Sequence, residues 1–150
     1  MLNVAEIKNG LVIDHIHAGF GWKVFKYLGL DKAPFSCCLI MNAVSQKSGK
    51  KDIIKIDNIM NIDYSVLGFL DPNITVNVIQ DGQIARKIKM TLPDMVEGVI
   101  KCKNPRCITR TEHYVTQEFH LADKNTAKYR CAYCDAQCTA GFVDEYLEVD

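Results

Sequence analysis

Four cysteines stand in two close pairs, Cys102-x4-Cys107 and Cys131-x2-Cys134, with 23 residues between the pairs. A tetrahedral zinc ion takes four soft or borderline ligands, and each short pair supplies two thiolates from one tight turn. Asn104-Pro105 gives the first knuckle its turn chemistry. The pattern predicts one structural Zn2+ per chain, held by Cys102, Cys107, Cys131 and Cys134. Four thiolates leave no position for water, so no catalysis is expected at this centre. The His-x-Glu and Pro-Cys-x-x-Cys pattern of a zinc deaminase is missing. Cys138, four residues after Cys134, competes as a ligand on spacing alone but reads as a packed free thiol. His113 and His120, between the knuckles, read as surface residues. Cys37 and Cys38 share an apolar strand with Leu39 and Ile40. One of them reads as core, and the sequence suggests no partner for either.

A second group of residues sits where a purely structural strand would not put it. Asp14 and His15 end one apolar run, Lys55 interrupts Ile53-Ile54-Lys-Ile56, Asn77 interrupts Thr75-Val76-Asn-Val78, and Lys87 precedes Ile88. In the right register Lys55, Asn77 and Lys87 converge on one sheet surface. Two ammonium groups there suit a polyphosphate, and Asn and Asp can read a ribose or base edge. The alternative is a solvated open face on which lysines blunt exposed strands. There is no glycine-rich phosphate loop. Strand alternation sends Asp14 and His15 to opposite faces.

The elements that must position these groups fall into two modules. Leu11–Ile16, Ser36–Asn42, Asp52–Ile56, Ile74–Gln80 and Gln83–Met90 read as strands, with Asp81-Gly82 a hairpin turn. Phe20–Leu28 reads as a helix burying Phe20, Val24, Tyr27 and Leu28. A second short helix starting near Asp63 buries Val66, Leu67 and Leu70 and stops before Pro72. The order predicts an α+β fold, a ferredoxin-like α/β sandwich in which helices cover one face of an antiparallel sheet. Leu92-Pro93-Asp94 is the expected boundary, giving a domain over residues 1–93 and a small all-β zinc-binding domain over residues 94–150. The second has short strand-like pieces at Tyr114–Leu121, Ala127–Arg130 and Phe142–Val149, no good helix, and too little core to stand without a metal staple.

Seven cysteines are an odd number for a disulfide framework, and paired cysteines suit a reducing compartment. No run of 18 apolar residues and no signal peptide is seen, so no membrane is expected and cytoplasm is the default. The net charge is zero, yet residues 1–93 hold 11 Lys+Arg against 8 Asp+Glu while residues 94–150 hold 7 against 10. Zinc modules that grip nucleic acid are usually basic, and this one is acidic.

Gly10-Leu-Val-Ile-Asp-His-Ile16, Lys51-Asp-Ile-Ile-Lys-Ile-Asp-Asn58, Thr75-Val-Asn-Val-Ile79 and the cysteine tail occur in this order along nearly the whole chain. Together they resemble the regulatory chain of aspartate carbamoyltransferase. The resemblance implies a non-catalytic subunit that binds CTP or ATP in its first domain and pairs as a homodimer. It also implies a zinc domain that docks on the catalytic chain and bridges catalytic trimers in pyrimidine biosynthesis. Carried across by position, it implies effector contacts at Asp14, His15, Lys55, Asn77 and Lys87. Val4, Ile7 and Lys8 become an N-terminal wall, and Ile79 and Ile84 flank the base and ribose. Lys87 resembles the lysine that meets the phosphates, and Lys55 the one near ribose and base. Asn104 matches a partner-contact residue, whereas Arg106 and Asp135 replace an asparagine and a glutamate there. Two other readings are a nucleic-acid-binding zinc ribbon, opposed by the acidic zinc module, and a nucleotide-processing enzyme, opposed by the lack of a nucleophile–base pair.

Overall fold

The structure, a computed structural model, describes residues 6–46, 49–59, 62, 64 and 66–141. They form two compact units, each with its own antiparallel sheet. The first holds the described residues up to Tyr64 together with Asn73–Met90. Its strands are β1 (Gly10–His17), β2 (Cys37–Ser45), β3 (Gly49–Asp57), β4 (Thr75–Gln80) and β5 (Gln83–Lys89), in the order β2-β3-β1-β4-β5. With α1 (Gly21–Tyr27) packed on β2 and β3, this is the α+β architecture expected. One face of the sheet is apolar. Leu11, Ile13 and Ile16 of β1 meet Ile54 and Ile56 of β3 and Val76 and Val78 of β4, all buried. Alternation then puts Lys55, Asn77 and Lys87 on the opposite face. Asp81 and Gly82 both have positive φ (53° and 78°), as the hairpin turn between β4 and β5 requires.

Helix α1 is held by a carboxylate from the sheet rather than by a cap of its own. Asp52, with no exposed surface, accepts the backbone N–H of Gly19 (3.1 Å) and Gly21 (2.8 Å) at Oδ2 and that of Asn42 (2.9 Å) at Oδ1. Any side chain at residue 21 would run into Asp52, since a Cβ there would lie 2.7 Å from its Cβ. Hence the helix buries only Gly21 and Val24, while Phe20, Tyr27 and Leu28 stay half-buried, contrary to the four-residue face expected. Asp52→Asn swaps one acceptor for an amide that points N–H at N–H. It is expected to cost roughly 2 kcal/mol, read as a lower urea midpoint by fluorescence of Trp22 on α1. An unchanged midpoint would show that these amides are satisfied without the carboxylate.

The second unit combines the described residues from Thr91 onward with Val66–Pro72. Its strands β6 (Met95–Glu97), β7 (Glu118–Asp123), β8 (Lys128–Cys131) and β9 (Gln137–Thr139) pair in that order. Two single-turn helices join them, α2 (Leu67–Leu70) and α3 (Ile108–Thr111). Of the elements read from sequence here, β7 and β8 correspond to two strand-like pieces. β6, β9 and α3 have no counterpart in that reading, and Phe142–Val149 lies outside the described residues. Helix α2 was expected over the first sheet. Instead its Phe69 meets Tyr129 of β8 edge to face, with ring centroids 4.8 Å apart, and Leu67 and Leu70 are buried beside it while Val66 is only half-buried. Gly68 lies so close to the Thr91 carbonyl that no side chain fits there. Tyr129 donates its hydroxyl to the Pro93 carbonyl. By its contacts α2 thus groups with the second unit, although it lies between strands of the first in sequence.

Candidate functional site

Cys102, Cys107, Cys131 and Cys134 come together at one end of the second sheet, with their four Sγ atoms within 4.8 Å of one another. Cys102 and Cys134 are 3.5 Å apart, Cys107 and Cys131 3.7 Å. Those separations are far too long for disulfides, which need about 2.05 Å. They fit the edge of a sulfur tetrahedron around an ion with bonds of about 2.3 Å, which is about 3.8 Å. The donor set therefore fits a metal closed to solvent ligands.

Each knuckle is a turn locked by its own backbone. Cys107 N–H reaches the Asn104 carbonyl (3.0 Å), and Asp135 N–H reaches the Cys131 carbonyl (3.0 Å). Asp135 takes a positive φ of 66° to close the second turn, and its carboxylate pairs with Arg130 at 3.0 Å. The Asn104 side chain accepts Arg106 N–H (3.0 Å) through Oδ1. The Thr109 hydroxyl lies 3.1 Å from Cys107 Sγ, and Arg110 donates to the Cys102 carbonyl at 3.1 Å. Burial pushes the Cys102 and Cys131 thiols up, the penalty that a bound cation would relieve. At Cys134 desolvation also works upward, but hydrogen bonds from the Ala136 backbone, the Asn104 amide and the neighbouring thiols outweigh it and bring the thiol down to about 7. Cys138 stands apart from the four, opposite Tyr129 in the sheet, its thiol pushed to about 11 chiefly by burial. His113 and His120 are exposed.

The polar face of the first sheet is a register row. Cys38 pairs with Lys55, Lys55 with Val12, Val12 with Asn77, and Asn77 with Lys87, so one line crosses all five strands. Asn77 sits inside it, 8% exposed, and its Oδ1 is buried with no hydrogen-bond partner among the described residues. A buried unpaired acceptor is costly unless something supplies a donor. Ile79 and Ile84 share this face because β5 carries one extra residue, Ala85, between Ile84 and Arg86. On the β3 side, Glu6, Ile7, Cys38, Lys55 and Asp57 line a cavity of about 260 Å³. The Lys8 carbonyl accepts Gly82 N–H at 2.8 Å, tying the N-terminal segment to the hairpin tip. Val4 lies outside the described residues.

Asp14 and His15 depart from the alternation expected of them. Between Ile13 and Ile16, β1 holds two residues against one in β3, a bulge with His15 at φ 62°. Both side chains therefore bond to residues of the polar face. Asp14 pairs with Lys51 at 3.0 Å, and His15 Nδ1 meets Thr75 Oγ1 at 2.9 Å.

Residues 2–91 match the family model described as the aspartate carbamoyltransferase regulatory chain, allosteric domain, and residues 94–143 match its metal binding domain. The chain belongs to the aspartate carbamoyltransferase regulatory chain family. Among its relatives, the regulatory chain of Clostridium botulinum (strain Hall) is 58% identical over 145 residues, covering 97% of this chain and 99% of the relative. That of Clostridium acetobutylicum is 55% identical over 135 residues (90% and 92%), and that of Bifidobacterium longum 46% over 136 residues (91% and 98%). In this regulatory chain the polar face falls in the allosteric domain and the four-cysteine centre in the metal-binding one. Family membership makes it a regulatory rather than a catalytic chain. Sequence reasoning missed Lys51, Thr75, Asp52 and Thr109, which act through partners distant in sequence or through a single hydroxyl. Only the juxtaposition of Lys51 with Asp52 hinted at two buried or bonded charges.

Proposed function

We propose that the first unit binds a nucleoside triphosphate, CTP or ATP, on its polar face, and that the second, folded around zinc, docks on the catalytic chain of aspartate carbamoyltransferase. The observation that carries the nucleotide reading is Asn77 Oδ1, a buried acceptor without a partner among the described residues, with Lys87 its register partner on one side and Lys55 beyond Val12 on the other. A ribose hydroxyl or the exocyclic amine of cytosine or adenine offers the missing donor. Lys87, exposed, meets the phosphates, and Lys55 lies near ribose and base. Ile79 and Ile84 flank the base, and Asp14 and His15 close the far end of the site. Val4, Ile7 and Lys8 form the N-terminal wall.

Zinc suits the second unit because four thiolates at this spacing leave a borderline-soft ion fully enclosed. Asn104, Arg106 and Asp135 stand on the knuckles and face the catalytic chain in this reading. Pairing of two regulatory chains is supported by β2, an edge strand whose Val44 is 88% exposed. No helix among the described residues is long and apolar enough to cross a membrane; the cytoplasmic location of the complex is part of this proposal. Regulation rests on unequal effector binding to two quaternary states, since a ligand with equal affinity for both shifts nothing.

Calorimetric titration of the full chain tests the effector site. Lys87→Ala is expected to weaken CTP and ATP alike, by roughly 1.5–3 kcal/mol for a lost charge-assisted contact. Asn77→Ala is expected to change the ratio between the two nucleotides. No binding of either nucleotide by the wild type, or no effect of Lys87→Ala, would retire this assignment.

A further inference from the structure

The second unit contains a recess of about 540 Å³ that none of the residues above explains. Its walls are the two segments leaving the first knuckle. Lys101 immediately precedes Cys102, Arg110 lies on α3 just after Cys107, and His113 and Thr116 follow α3 on the way to β7. Gly98, at φ 69°, turns the chain so that this stretch passes Thr116. The charge in the recess opposes that of its surroundings. Residues 94–150 are net acidic, 7 Lys+Arg against 10 Asp+Glu, yet among the described residues the lining has Lys101, Arg110 and His113 and no carboxylate. Arg110 is fixed by one bond to the Cys102 carbonyl, which leaves further guanidinium donors unused in that contact. Cationic groups gathered in a concavity focus potential and attract an anion.

We propose that this recess binds an oxyanion, a carboxylate or phosphate, gripped by Lys101 and Arg110 with His113 and Thr116 as further hydrogen-bonding groups. Its volume lies within the range of small-ligand sites and exceeds what a bare phosphate fills, so the oxyanion belongs to a larger body. Two sources share that chemistry: a free organic anion, or an acidic side chain of the catalytic chain. The site lies outside the polar face of the first sheet and stands whether or not that face binds nucleotide.

The test uses the full, metal-loaded chain with inorganic phosphate and succinate as probes, followed through the imidazole resonances of His113, assigned with His113→Ala. A saturable shift is expected for the wild type and for Lys87→Ala, with affinity falling roughly tenfold or more in Lys101→Met. Lys101→Arg keeps the charge and is expected to keep the response, which separates lost charge from lost fold. Metal content is measured for every variant. In a second arm the same chains are titrated with the catalytic trimer. If the anion is a partner side chain, Lys101→Met weakens association roughly tenfold and flattens its salt dependence, while Lys101→Arg does neither. A response in the first arm alone assigns a free anion, and one in the second alone assigns the partner's carboxylate. His113 resonances unmoved by both probes, together with unchanged association, would overturn the proposal.

Discussion

Stripping the metal with a thiol reagent is expected to unfold the second unit, free the catalytic trimer, and leave the first sheet still binding nucleotide. The size of the effect follows from the core. Apart from the cysteines, the second unit's buried apolar residues include Val96, Val99, Ile100, Phe119 and Tyr129, with Leu67, Phe69 and Leu70 from α2. Small domains of this kind hold only a few kcal/mol without a staple. Structural zinc contributes an apparent ~10–16 kcal/mol in comparable small modules, so no redistribution of the remaining contacts compensates for its loss. The first unit has its own core on Leu11, Ile13, Ile54, Ile56 and Val76, and Trp22, the one tryptophan, reports on it. Fluorescence of Trp22 and calorimetric CTP binding should therefore persist after treatment, while proteolysis opens the second unit. Sedimentation should show free trimers that remain active and no longer respond to CTP or ATP. Cys102→Ser and Cys134→Ser should give the same picture without reagent. A complex that stays assembled without metal would place docking on another surface. Activity that disappears with the regulatory chain would show that it does more than regulate.

Phe69→Ala is expected to cost about 3–5 kcal/mol, and all of it should fall on the second unit. Phe69 is fully buried against Tyr129, Gly68 lies against the Thr91 backbone, and α2 groups with the second unit. Removing the ring leaves a cavity beside a strand that ends at Cys131, so metal should escape to a chelator at least tenfold faster. The Trp22 transition in urea should not move. The reverse outcome, a lower Trp22 midpoint with unchanged metal release, would return α2 to the first sheet.

What could be read from the sequence follows from how local each signal is. The cysteine pairs are each closed by one turn, and their spacing alone picked out the four residues that the fold brings together. The strands of the first sheet alternate or run apolar, and Asp81-Gly82 permits little but a tight hairpin. The bulge at Asp14–His15 was hidden, because it depends on β3 offering one residue against two. So was the bulge at Met41–Asn42 of β2, whose Asn42 amide answers to Asp52. The membership of α2 was equally hidden. An apolar turn reveals that it is buried, not against what. Strands β6 and β9 are three residues each, too short for periodicity to register.

The second unit draws its core from two separate stretches of the chain, and this bears on how such chains can be recombined. A crossover near residue 92 that joins the front of one regulatory chain to the tail of another would leave Phe69 behind with the front. The incoming counterpart of Tyr129 would then face an aromatic it had not been selected beside. Interchangeable tails therefore need more than a compatible metal site and linker. The short segment around residues 66–71 has to travel with the tail, or co-vary with it, although some twenty residues of a different module lie between them in the gene.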